Sequence, residues 1–303
     1  MFDSLLSIFL VIGVGYGARR WLLGSNETWT GAERVTYFLL FPALMIHALA
    51  GAKLESVPVL PVAGALLAAN LVMCLALLLA RTRLLAYTGL DNPAFTSIFQ
   101  GVLRWNAFVG LAIAGNLYGA EGVALASVAL AFLVPVLNVQ SVFVLRLYGN
   151  GAQGSMARGL LTNPFIISAA IGLALNFSGL VLPKAVMASL DMLGRCALGL
   201  GLLLVGAGLK LQDLTTPSRG LVASVILRLV VLPAIGGSIA ALFGLGGAAL
   251  GVVVICLAVP SAGAAYILAR QMGGDAGLMA AILTAQTLAS FVTLPMMFLI
   301  FRI

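Results

Sequence analysis

Two short stretches concentrate the polar groups that could hold a small anion: Gln100-Gly101 with Arg104-Trp105-Asn106, and Pro260-Ser261-Ala262-Gly263. A guanidinium stays charged at any relevant pH and offers a planar fork of donors that suits a carboxylate. Inside an apolar run it needs a partner or a watery cavity, so an arginine there is a functional candidate by default. Arg104 is the leading candidate for substrate binding, with Asn106 beside it; its alternative role is a structural ion pair or a side chain reaching for the surface. Proline removes a backbone donor and clashes with the preceding turn, and a nearby glycine loosens the same region. Pro260 and Gly263 therefore predict an interruption, although a simple kink is the blander reading. Freed backbone groups at such a break are tolerated only against protein or a cavity, which adds Pro260 and Ser261 to the candidate site. Helix N-termini at both breaks would each favour an anion by about 0.5 to 1 kcal/mol.

Other polar groups lie in the same apolar background. Asp191 and Arg195 are four residues apart, on one helix face, where they can pair with each other. A structural pair is the first reading and a proton relay or ion-coupling site the second. Arg228 has no partner nearby in sequence; it either shares Asp191 or faces the substrate path, and it joins those two as an ion-coupling candidate. Asn138 and Gln286 read as interhelical hydrogen bonds or as residues lining the site. His47, alone, is a packing or capping residue. Cys74, Cys196 and Cys256 are spaced singly and read as small packing residues. No metal site and no cofactor is expected.

The elements that must position these groups follow from composition. The chain has 303 residues, of which 62% are hydrophobic and 8% charged; a soluble domain carries roughly a quarter charged residues. Its mean hydropathy is +1.16. These values imply an integral membrane protein with little mass outside the bilayer. A helix needs about 20 apolar residues to cross the hydrocarbon, and the uncharged runs give ten spans: about 2–18, 35–51, 57–80, 95–117, 122–146, 162–180, 186–208, 219–243, 248–270 and 277–301. The turn signal Phe243-Gly-Leu-Gly-Gly247 divides the longest run. The first span lacks a basic leader and a small-residue cleavage site, and reads as a helix of the fold. Ten basic residues fall in loops after odd-numbered spans and three after even ones or at the termini, a bias that places both termini outside the cytoplasm of the inner (cytoplasmic) membrane. The net charge of +7 thus reflects topology rather than a nucleic-acid surface.

The chain also resembles itself. Ala50-Gly51-Ala52-Lys53-Leu54 recurs as Ala207-Gly208-Leu209-Lys210-Leu211, and Ala114, Gly119 and Gly122 recur as Ala269, Gly274 and Gly277. The near-equal offsets divide the chain into five-helix repeats at 1–150 and 151–303. An odd number of helices per repeat inverts one copy relative to the other. Inverted repeats with interruptions in matching spans are the sequence trace of a secondary transporter, with its site near the bilayer middle.

Gln100-Gly-Val-Leu-Arg-Trp-Asn106, Phe108-Val-Gly-Leu111, Pro135-Val-Leu-Asn138, Asn163-Pro164 and Gly206-Ala-Gly-Leu-Lys-Leu211 together resemble the auxin efflux carrier family. Bacterial members are often labelled malonate or malate permeases. The resemblance implies an all-α membrane fold of ten helices in two inverted five-helix repeats, similar to bile-acid and sodium/proton transporters. It further implies that interrupted helices 4 and 9 cross in a transport domain (helices 3, 4, 5, 8, 9 and 10). That domain would move, elevator fashion, against a scaffold of helices 1, 2, 6 and 7, which also makes a homodimer contact. Plant members carry a Pro-Asn pair at the first crossover; Arg104-Trp105-Asn106 stands there in this chain and adds a fixed cation.

The function expected is secondary transport of a small organic anion, a carboxylate or dicarboxylate. An anion uniporter or channel-like facilitator, or a carrier of an auxin-like aromatic acid, is the alternative. A pore would need a continuous polar lining, which these spans lack. A membrane enzyme fits poorly with one His and nine acidic residues. The glycine clusters read as helix packing rather than nucleotide loops, because no strand precedes them. A reporter enzyme fused after Ile303 should be active only if it is one that works after export; cytoplasmic activity there would overturn the ten-span count.

Overall fold

A computed structural model describes residues 2–52, 58–150, 163–214 and 218–303. Met1, Lys53, Arg158 and the junction between the two halves lie outside the described residues. The described residues form helices and no strand. In chain order these are α1 (Phe2–Gly17), α2 (Asn26–Val35), α3 (Phe41–Ala50), α4 (Val59–Leu79), α5 (Arg81–Thr88), α6 (Asn92–Leu103) and α7 (Ala107–Tyr148). There follow α8 (Pro164–Ser178), α9 (Lys184–Ala207), α10 (Arg219–Ile226), α11 (Leu232–Leu242), α12 (Gly247–Ala258), α13 (Ala264–Met272) and α14 (Ala276–Phe301).

Local chemistry explains most boundaries. The side chains of Asp91, Asn163, Ser218 and Asp275 each accept from a backbone N–H in the first turn of the helix that follows. Ser25 does the same for α2, whose polar first turns place its start at Asn26 rather than near residue 35. Hydropathy could not see that extension because Glu27, Glu33 and Arg34 lie on it. Two long helices widen by one residue just before a proline. Phe41 N–H reaches back to the Thr36 carbonyl ahead of Pro42, and Leu232 N–H to the Leu227 carbonyl ahead of Pro233. Proline clashes with the carbonyl four residues earlier, and a π turn relieves that clash while keeping the helix continuous. The first of these turns joins α2 to α3 and the second joins α10 to α11.

Seven helical stretches among the described residues are long and apolar enough to cross a membrane, and α8 and α12 are shorter apolar helices. The longest stretch, Asn92–Tyr148, spans 57 residues but is not one rod. Gly119 sits at φ 59°, ψ −141°, a conformation only glycine adopts readily, and the chain doubles back there. Phe95 and Tyr148, near the two ends, meet edge to face with centroids 5.8 Å apart. Exposed apolar side chains such as Leu60, Leu79, Val181 and Leu242 project from the outside of the bundle, where lipid tails would solvate them. The chain is a multi-pass membrane protein.

α1 packs along α9, and α3 packs against α8 and α9. α4 packs against α11 and α7, and α12 against α7 and α11. Small residues set the closest approaches. A Cβ on Gly206 would land on the Ile12 carbonyl oxygen, and one on Gly15 would land on that of Leu203. Without a hydrophobic drive between helices in lipid, such backbone proximity is what holds them. An edge-to-face cluster of Tyr37, Phe41, Phe108 and Phe165, with successive centroids 4.6 to 5.0 Å apart, then links α3 and α8 to the start of the first arm of α7. Gly206→Leu should force α1 and α9 apart and cost about 1–3 kcal/mol of stability. Gly199, with nothing near its would-be Cβ, provides the control. Equal melting temperatures for Gly206→Leu and Gly199→Ala in detergent would contradict this packing.

Candidate functional site

The chain breaks helix in two places that touch. α6 ends at Leu103; Arg104 turns extended at φ −74°, ψ 149°, and α7 starts at Ala107. α12 ends at Ala258; Val259 is extended at φ −71°, ψ 154°, and α13 starts at Ala264. The Asn106 N–H donates to the Pro260 carbonyl at 2.8 Å, joining one break to the other. Asn106 also caps α7, its Oδ1 accepting from the backbone N–H groups of Phe108 and Val109 at 3.1 and 3.3 Å. α13 starts with no side-chain cap.

Each broken helix leaves C-terminal carbonyls without partners, and Arg228 takes them. Its guanidinium is completely buried. Nε donates to the Val259 carbonyl at 2.8 Å and Nη2 to that of Cys256 at 3.0 Å, both at the end of α12. Nη1 donates to the Val102 carbonyl at 3.2 Å, at the end of α6. Two helix C-termini carry about half a negative charge each, so one cation between them satisfies the orphan carbonyls and offsets both dipoles. The π turn ahead of Pro233 spans Leu227–Val231 and therefore contains Arg228. The sequence signal was available, an arginine five residues before a proline in an apolar run, but its partners are backbone atoms that no residue pattern reveals.

A second set of bonds braces the crossover from α14. Gln286 accepts from the Ser261 N–H at 2.9 Å through Oε1, while its Nε2 donates to the Gly101 carbonyl at 3.0 Å and to Ser224 Oγ at 3.2 Å. Ser261 Oγ donates to the Gln100 carbonyl at 3.3 Å. Gly101 is required for this closeness, since a Cβ there would meet Ile282 at 2.7 Å and Ser224 Oγ at 2.9 Å. Ser224 is a member of this network that the sequence did not suggest.

Arg104 differs from Arg228 in having no such coordination. It is only partly buried, yet its Nη1 is enclosed and unpartnered. Trp105 packs its ring on Gly110, where a Cβ would come within 2.5 Å of it, and its buried Nε1 also lacks a partner.

The structure thus brings Arg104, Asn106, Pro260, Ser261, Gln286 and Arg228 to one crossover. It does not bring Asp191 and Arg195 there. They pair with each other at 2.9 Å on α9, with Arg195 79% exposed. The idea that Arg228 shares Asp191 or faces the substrate path is corrected: its bonds go to backbone carbonyls, because those carbonyls are nearer and would otherwise be stranded. Asn138, on the second arm of α7, is half-buried and makes no side-chain hydrogen bond among the described residues.

Residues 151–298, nearly all of the second half with α8 to α13 and most of α14, match a protein-family model described as membrane transport protein. That half is therefore similar to a family of membrane transport proteins. No curated protein matches the chain. The crossover is the one place among the described residues where two interrupted helices meet.

Replacing Arg228 tests whether it clamps the half-helices. A lysine ammonium cannot span carbonyls on both helix ends, and each buried acceptor left unpaired costs about 1–3 kcal/mol. Arg228→Lys should lower the melting temperature in detergent, and Arg228→Met should lower it further. A wild-type melting temperature for Arg228→Met would refute the clamp.

Proposed function

We propose that the protein is a secondary transporter of a small organic anion, a carboxylate or dicarboxylate, bound at the crossover by Arg104. The observation that carries this reading is the contrast between the two arginines at the crossover. Arg228 is fully engaged by backbone carbonyls, whereas Arg104 faces the first break with an enclosed, unpartnered donor. A guanidinium with spare donors beside two helix N-termini favours a negative group. Asn106, Pro260, Ser261 and Gln286 fix the shape of the break, so that the substrate meets a preformed surface rather than loose backbone.

The proposed topology is ten membrane crossings in two inverted five-helix repeats, with α6–α7 and α12–α13 as the interrupted pair. Transport by movement of the crossover helices against α1, α2–α3, α8 and α9 has support in where the bundle is open. A cavity of about 350 Å³ lies between α1 and α14, lined by Phe9, Tyr16, Leu211 and Thr287 among others. Another of about 300 Å³ lies between α1, α9 and the first arm of α7. Both follow the seam between the two groups of helices. A homodimer contact would use the α8–α9 side, where Ile167, Ile171 and Met192 are exposed.

Arg104→Lys keeps the charge but loses the fork, and Arg104→Gln loses both. For a desolvated pair, neutralisation should weaken carboxylate binding by about 3–5 kcal/mol, part of it from stranding the substrate's own charge. The Lys variant should fall between. Affinity and melting temperature measured on the same proteins separate binding from structure, and unchanged affinity in a folded Gln variant would reject the site. Counterflow of preloaded labelled carboxylate in proteoliposomes tests the carrier itself.

A further inference from the structure

One turn before Arg104, on the same helix end, stands a group the clamp and the brace leave unused. Gln100 is completely buried, and neither its Oε1 nor its Nε2 has a hydrogen-bond partner. Its backbone carbonyl is engaged by Ser261 and Arg104, but its amide is not. A buried primary amide with both ends unpaired is rare, since each such atom loses its hydration with no return. Ser141 repeats the pattern on the second arm of α7: it is 1% exposed, and its Oγ also lacks a partner.

The register of the two helices brings these groups to one depth. α6 and the second arm of α7 run antiparallel, with Phe95 on Tyr148. Thr96 and Leu145 both border Gly274. Four residues on from Thr96 is Gln100, and four back from Leu145 is Ser141. At 1.5 Å per residue both lie about 6 Å further along. One more turn reaches Arg104 on α6 and, at nearly the same depth, Asn138 on α7. The groups of this layer are neutral donors and acceptors, and the second cation nearby, Arg228, reaches α6 at Val102 with its donors already held by backbone carbonyls.

We infer that Gln100, with Ser141 at its depth, is a specificity-determining pair that reads a hydroxyl on the substrate, making hydroxycarboxylates the preferred anions. A carboxylate answers only donors; it can engage Arg104 and the Trp105 N–H but cannot satisfy Gln100 Oε1. A hydroxyl does both: its O–H donates to Gln100 Oε1, and its oxygen accepts from Gln100 Nε2 or Ser141 Oγ. This inference rests on the reading of Arg104 as the carboxylate contact.

The test uses pairs of acids that differ by one hydroxyl, lactate with propionate and malate with succinate, titrated against the full-length protein in detergent. The wild type should bind each hydroxy acid about tenfold or more tightly than its partner, because a site built around a hydroxyl strands its own groups when the hydroxyl is missing. Gln100→Leu should bring the ratio close to one by weakening the hydroxy acid alone, and Ser141→Ala should reduce it partly. Melting temperatures confirm that each variant is folded; if Gln100→Leu does not fold, the Ser141→Ala ratio decides. A wild-type ratio near one, or a ratio that survives in the folded variants, overturns the hydroxyl reading. The latter is the result expected if trapped water serves these atoms. Arg104→Gln distinguishes the two levels of failure. If it weakens both members of each pair while the ratio is one, only the hydroxyl reading falls; if no acid depends on Arg104, the carboxylate site falls with it.

Discussion

An interrupted helix inside an apolar bundle strands backbone carbonyls, and everything at this crossover follows from how those carbonyls are satisfied. Water is scarce at that depth, and each unpaired group costs several kcal/mol. Arg228 meets the need with one side chain, donating to α6 and α12 together. The charge of the arginine and the dipoles of the two helix ends offset one another, so neither requires an acidic partner. Once the clamp is in place, the breaks can exist without the fold coming apart.

The clamp also decides what the remaining groups are free to do. With the C-terminal ends neutralised by Arg228, and α7 capped by Asn106, Arg104 is left as a cation with spare donors beside the first break. Gln286 and Ser261 fix the opposite wall. The proposed site, a cation with an unpartnered donor beside neutral polar groups, suits reversible binding of an anion, since a buried carboxylate of the protein itself would occupy Arg104 permanently. The same economy explains why Asp191 and Arg195 stand apart. Their pair is exposed and local, and an exposed ion pair contributes little to stability.

Packing between the two groups of helices has a different character. α1 and α9 meet backbone to backbone through Gly15 and Gly206, a contact with no room to slide. The seam against α7 and α14 instead holds open cavities and the aromatic cluster of Tyr37, Phe41, Phe108 and Phe165. Edge-to-face aromatic pairs contribute about 0.5–1.5 kcal/mol each beyond their buried area.

Composition and spacing by themselves determined that the chain is a membrane-embedded helical bundle, because 62% hydrophobic and 8% charged residues leave no soluble alternative. They also located both breaks, since an Arg-Trp-Asn step and a Pro-Ser-Ala-Gly step cannot continue an apolar helix unnoticed. Gly119 was legible as a repeat position, but not as the reversal that folds a 57-residue stretch in two. Only the tertiary structure decided which arginine is structural and which is free. Arg104 and Arg228 look alike in sequence, each a lone cation in an apolar run. What separates them is a set of backbone carbonyls up to 126 residues away, and backbone atoms carry no residue identity for a pattern to detect. The unpaired amide of Gln100 was hidden for the same reason: a glutamine's type shows that it can hydrogen-bond, while only its surroundings show that nothing in the fold does so.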